Sequence, residues 1–90
     1  MIDVARLRVF RPVVAAGSIQ AAAANLGYTP SAVSQQVAAL GRETGLPLLQ
    51  RVGRGIEPTA AGLQLAEASA PLFERLADVE SAAEDLRTGR

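Results

Sequence analysis

Ser31, Ser34, Gln35, Ala38 and Arg42 recur on one side of a helical stretch whose opposite side carries Val33, Val37 and Leu40 at i, i+4, i+7. A solvated helix face is ordinarily filled with Glu and Lys. Short hydroxyls, amides and a small Ala instead supply donors, acceptors and clearance, the groups that fit against base edges in a major groove. For this stretch alone, a plain helical hairpin with a Ser- and Gln-rich surface stays open as the alternative. Arg51 and Arg54 follow a few residues later, and a guanidinium pairs with phosphate or guanine through a two-point fork. Enzyme chemistry has little to stand on. The chain has no His and no Cys for general-base or nucleophile duty, and Gly53-Arg54-Gly55 lacks the further glycine and lysine of a phosphate-binding loop. No metal site and no cofactor are expected.

The elements that position these side chains are marked by caps. Ser18 precedes Ile19, Ala22, Ala23 and Leu26, which follow i, i+3, i+4, i+7 and form one apolar stripe. Gly27 ends that helix, and Thr29 with Pro30 at the first helical position begins the next. That second helix runs through Gly41, a mild misfit worth roughly 1 kcal/mol against Ala, to a stop at Gly45-Leu46-Pro47. Upstream, Asp3 caps a helix with Val4, Leu7, Phe10 and Val14 as its stripe, and Pro12 predicts a bend or irregular bonding between Arg8 and Pro12.

Downstream, Leu48 to Val52 and Ile56 to Pro58 flank the turn-forming Gly53-Arg54-Gly55, a short hairpin with Arg51 near its base and Arg54 at its tip. Two guanidiniums on a small β-wing suit phosphates or a minor groove; two solvated arginines on a surface hairpin are the alternative. Thr59 then caps a last helix. Leu65, Leu72, Val79 and Leu86 repeat every seventh residue in it, with Leu76 and Ala83 at the alternate heptad position. From Thr59 to about Thr88 it spans roughly 45 Å, too long for a small core to cover, and Pro71 predicts a kink. A second copy of the chain is the simplest cover for the seam. A helix folding back on its own domain is the alternative.

Ninety residues make one small domain, marginal without good packing or a partner. With 49% apolar and 20% charged residues the chain is neither disordered nor membrane-spanning. The N-terminus mixes Asp3, Arg6, Arg8 and Arg11 with apolar residues, so it lacks the apolar core of a signal peptide and a cytoplasmic location is expected. Zero net charge argues weakly against nucleic acid, but the distribution reverses that. Up to Pro58, Arg6, Arg8, Arg11, Arg42, Arg51 and Arg54 outnumber Asp3, Glu43 and Glu57. Beyond it, Glu67, Glu74, Asp78, Glu80, Glu84 and Asp85 outnumber Arg75, Arg87 and Arg90. A basic front half with an acidic tail suits a DNA reader carrying a separate assembly segment, divided as residues 1–58 and 59–90.

Taken together, LRVF, GSIQAAAANLGYTPSAVSQQVAAL, GLPLLQRVGRG and PTAAG, in that order and spacing, resemble the N-terminal DNA-binding region of LysR-type transcriptional regulators of bacteria. The resemblance implies a mainly α fold, a winged helix-turn-helix of three helices and a β-hairpin wing, followed by a long linker helix through which such regulators dimerise. It assigns Pro30, Ser31, Ser34 and Gln35 to base edges and adjoining phosphates. Ser18, Thr29, Arg51 and Arg54 fall to the DNA backbone, and Leu65, Leu72, Leu76, Val79, Ala83 and Leu86 to the dimer helix. Pro30 stands where many members have glutamine, Gly41 where glutamate is usual, and Pro12 is unusual in the first helix. The function implied is sequence-specific binding of an interrupted palindrome in double-stranded DNA by a homodimer. A helical protein-interaction module that touches no DNA is the rival. The resemblance also implies that a small-molecule effector binds a larger domain absent from this chain.

Overall fold

Each helix begins where a short polar side chain can take over a backbone N–H that has no partner inside the helix. In the computed structural model, which describes residues 1–89, Ala5 N–H donates to Asp3 Oδ1 at 2.9 Å and opens α1, Val4–Ala16. Ala21 N–H donates to Ser18 Oγ at 2.9 Å for α2, Ile19–Leu26, and Ala32 N–H to Thr29 Oγ1 at 3.1 Å for α3, Pro30–Thr44. The hairpin strands β1, Leu49–Val52, and β2, Gly55–Pro58, come next. Gly62 N–H donates to Thr59 Oγ1 at 3.0 Å and opens α4, Ala60–Thr88. The fold is the mainly α winged helix-turn-helix with a long terminal helix that the sequence pattern indicates.

The core is built from Leu7, Val9, Phe10 and Val13 of α1, Ala22 and Ala23 of α2, Val33, Val37 and Leu40 of α3, and Leu48 before the hairpin. The α3 stripe is the expected one. The α1 stripe is not: Val4 is exposed and Val14 half-buried, while Val9 and Val13 are buried. The reason is that α1 packs against α2, α3 and α4 together, so the arc it buries is wider than one stripe. Pro12 does not break α1, which continues to Ala16, where Gly17 N–H donates to Val13 O at 2.9 Å. α4 likewise runs unbroken through Pro71. Each proline removes one hydrogen bond without ending its helix.

Gly27 and Gly53 have backbone geometry that a side chain would oppose. Gly27 adopts φ 74°, and its left-handed turn lets Tyr28 N–H reach Ala23 O at 2.9 Å, which sets α3 at an angle to α2. Gly53 adopts φ 58° in the hairpin turn. Here the pairing is tighter than the sequence indicates: Val52 pairs with Gly55, so Gly53-Arg54 alone form the turn and Gly55 belongs to β2. Glycine at the first of two central positions matches the backbone twist of a two-residue hairpin.

Gly41 proves to be a packing site. Its carbonyl accepts from Gly45 N–H at 2.8 Å and Leu46 N–H at 3.2 Å, and a Cβ would sit 3.3 Å from Leu46 O. Arg6 ties α1 to α3: its Nη1 is 3.0 Å from Glu43 Oε1, and its Nε donates to Gln36 Oε1 at 3.3 Å. The hydrogen bond to Glu43 raises the Arg6 pKa against the opposing effect of burial, so the guanidinium stays charged and committed to the fold.

Thr59 joins hairpin to α4. Its N–H donates to Leu48 O at 3.1 Å, and its hydroxyl accepts from Gly62 N–H while donating to Pro47 O. Thr59→Ala is expected to cost about 1–2 kcal/mol, since the cap and a second hydrogen bond go together. Urea denaturation checks this, and Thr59→Ser should retain most of the stability.

Candidate nucleic-acid interface

α3 is held by Val33, Val37 and Leu40, all buried, so the residues between them must point outward. Pro30, Ser31, Ser34, Gln35, Ala38 and Arg42 are exposed. Gln36, on the edge of that face, is half-buried and occupied by Arg6. The exposed face therefore presents hydroxyls, one free-standing amide and a methyl, with Arg42 near its far end.

Beside it, the hairpin folds back so that a groove of about 460 Å³ forms between α2, α3 and the turn. Ser18, Gln20, Pro30, Ser31, Ser34, Arg54, Gly55 and Ile56 line it. A second stretch continues along α3 past Ser34, Ala38 and Arg42, with Leu49 and Ile56 as the opposite wall. Ser34 and Ile56 belong to both stretches, so helix and wing form the two sides of one channel.

Of the eight residues assigned to DNA from the sequence, Ser18, Pro30, Ser31, Ser34 and Arg54 meet in this groove. Gln35 stands on the exposed outer side of α3, Thr29 on its cap, and Arg51 on β1 directly across from Ile56. Gln20 and Ile56 are groove residues that sequence reasoning passed over. Gln20 had no signal of its own, since all four helices alike lack an acidic residue in the first turn. Ile56 had none, because a single exposed apolar residue is ordinary.

The caps also prepare the groove chemically. Ser18 Oγ and Thr29 Oγ1 each accept a backbone N–H, which leaves the hydroxyl hydrogen for an outside acceptor. The N–H groups of Ile19, Gln20 and Ser31 fall in first turns, where a helix supplies no internal carbonyl. Outward donors at two helix starts, with the Arg54 guanidinium opposite, make the groove a receptor for anionic oxygen.

The dimer-helix residues divide in two. Leu65 is half-buried and packs against the core cluster of its own chain, where α1 meets the first turns of α4. Leu72 is 42% exposed, Val79 63% and Leu86 81%, and from Ala77 onward every described residue is exposed. Leu76 is half-buried and Ala83 exposed. The outer half of α4 carries an apolar seam that its own chain does not cover.

The family described as "Bacterial regulatory helix-turn-helix protein, lysR family" matches residues 4–63. Among similar proteins, the HTH-type transcriptional regulator AbaB of Streptomyces antibioticus is 42% identical over 89 residues, covering 98% of this chain and 30% of that protein. CbbR of Xanthobacter flavus is 35% identical over 83 residues, covering 92% of this chain and 25% of that one. The chain thus spans less than a third of the length of these relatives. The solved "CbnR_DBD-DNA complex" superposes with a TM-score of 0.82 at 31% identity, covering 99% of this chain and 100% of that one. The "BenM_DBD/catB site 1 DNA Complex" gives 0.87 at 26% identity, covering 98% and 95%. With the match running from the first helix through the helix pair and wing into α4, the chain belongs to the lysR family of bacterial regulatory helix-turn-helix proteins.

Proposed function

We propose that the chain is the DNA-reading part of a transcription regulator, binding an interrupted palindrome in duplex DNA as a homodimer. The observation that carries this is the channel between the uncharged face of α3 and the arginine-tipped hairpin. α3 enters a major groove, where Pro30, Ser31, Ser34 and Gln35 meet base edges and adjoining phosphates. Ser18, Thr29, Arg51 and Arg54 hold the backbone and fix the register. The solved relatives named as DNA complexes support the reading.

Residues 1–58 then read DNA and residues 59–90 assemble the dimer. This is a division of task more than of packing, since Gly62 and Leu65 of α4 lie against the reading half. A two-fold dimer demands a two-fold site, with half-sites about one helical turn or more apart. Any small-molecule effector binds outside this chain. No enzymatic role is assigned, in keeping with a family of regulators. The site of action is the cytoplasm; among the described residues no helix is long and apolar enough to cross a membrane.

Electrophoretic titration across salt, on sites selected from a random duplex library, tests the reading. Arg54→Ala is expected to weaken binding to all sequences and to reduce the salt slope by about 1. Gln35→Ala should leave the slope and relax base preference at one position, at about 1–3 kcal/mol. Identical behaviour of the two variants would defeat this division of roles. A protein with no retention on random duplex at low salt would fit the rival, an interaction module that touches no DNA.

A further inference from the structure

Ile56 differs in chemistry from the channel it lines. It is 41% exposed, stands outside the core cluster, and belongs to the wall that faces α3, with Ser34 opposite it in both stretches. Around it stand Ser18, Gln20, Ser31, Ser34 and Arg54, all of them hydrogen-bond donors. Among the described residues no carboxylate lines either stretch. Apolar surface gains free energy only when it leaves water. A ligand that fits this wall therefore carries an apolar part between its anionic ones.

The hairpin fixes where that apolar part lies. Arg51 pairs directly across from Ile56, so both side chains project from one face of the hairpin with Cβ atoms about 5 Å apart. Arg54 sits in the turn, two residues before Ile56. Ile56 is thus flanked by two guanidiniums, and among the described residues neither has a carboxylate within ion-pair distance. Along a nucleic-acid strand, successive phosphates are separated by one sugar. The other apolar group a duplex offers is the thymine methyl, which lies on the floor of the major groove where α3 would read it. A channel between a helix in that groove and the hairpin beside it holds the strand itself.

We infer that Ile56 seats the sugar between the phosphates taken by Arg51 and Arg54, and that it selects deoxyribose over ribose there. The inference rests on the DNA reading proposed above and adds to it the chemistry of the sugar. The 2′-hydroxyl is what distinguishes RNA from DNA at a protein contact. A deoxyribose presents a methylene at C2′ that Ile56 can cover. A ribose presses a hydroxyl onto a side chain with neither donor nor acceptor, and that hydroxyl loses its water without replacement.

Electrophoretic titration on a selected duplex site, with single ribonucleotides placed in turn along each strand, tests this. The wild type is expected to lose about tenfold in affinity at one sugar of each half-site and to be nearly indifferent elsewhere. Ile56→Ser gives the 2′-hydroxyl a partner; it should bind the all-deoxy site about threefold more weakly and no longer distinguish the ribose. A 2′-fluoro sugar at the sensitive position takes the ribose pucker without a hydroxyl, and should cost the wild type little. Circular dichroism checks the fold, and Ile56→Thr, which keeps the β-branched shape, carries the test if Ile56→Ser loosens the hairpin. A profile with no sensitive sugar, a penalty unchanged in both variants, or an equal penalty from 2′-fluoro overturns the inference and leaves the DNA reading standing. So does an Ile56→Ser loss that appears only at a thymine and vanishes when uracil replaces it, which would put Ile56 on a base. A chain that binds no duplex overturns the DNA reading as well.

Discussion

Gly62→Ala is expected to destabilise the chain by about 3 kcal/mol or more, the largest effect of any single methyl. A Cβ at Gly62 would collide with the Leu48 carbonyl oxygen and lie 3.2 Å from the Leu48 carbonyl carbon and 3.3 Å from the Phe10 ring. None of these can give way easily. The Leu48 carbonyl is backbone and accepts from Thr59 N–H, while Leu48 and Phe10 are both buried core residues. α4 must move off the core, and the Thr59 hydrogen bonds go with it. Domains of this size are stable by roughly 5–15 kcal/mol in total, so a shift of the urea midpoint is easily read. Gly55→Ala is the control: its Cβ would meet Val52 O at 3.8 Å, an ordinary contact, and the midpoint should barely change. Equal losses at both positions would show that the close approach of α4 to Leu48 is not what holds the helix.

The second large effect falls on assembly. Leu72→Asp combined with Val79→Asp is expected to make the protein monomeric and to lower affinity for a palindromic site by about 10²-fold or more. Leu72 and Val79 are 42% and 63% exposed in the single chain, so the changes remove seam without opening the core. Binding to an isolated half-site should be unaffected, because α3 and the hairpin are untouched. Sedimentation gives the first quantity and titration on whole and half sites the second. A variant that stays dimeric would place the interface elsewhere on the chain.

What the sequence discloses here is what local chemistry decides. Asp3, Ser18, Thr29 and Thr59 all cap the helices they precede, since a cap needs only its own neighbours. The α3 stripe of Val33, Val37 and Leu40 and the outward face opposite it follow from one helical period. The features that escape involve residues far apart along the chain. Val9 and Val13 are buried because α1 packs against three other helices at once, Val9 lying beside Tyr28, Ala32 and Gln36, which no window around either residue reveals. Gly62 reads as a weak helix residue until Leu48 is seen pressed against it. Arg6 counts toward a basic DNA-facing half, yet Glu43 and Gln36 hold it in the scaffold. In the groove the same limit applies: five residues from three separate elements were identified one by one, whereas Ile56 acquires meaning only from the Ser34 that faces it.

The junction at Thr59 bears on which DNA sites the proposed dimer would accept. β2 closes at Pro58 and α4 opens at Ala60, so one residue, hydrogen-bonded on both sides, separates the arginine-tipped hairpin from the helix proposed to meet the other copy. There is no slack to take up. Insertion of even one or two base pairs between half-sites rotates and displaces one target relative to the other, and an arm without a hinge cannot follow it, so the proposed dimer is expected to tolerate altered spacing poorly.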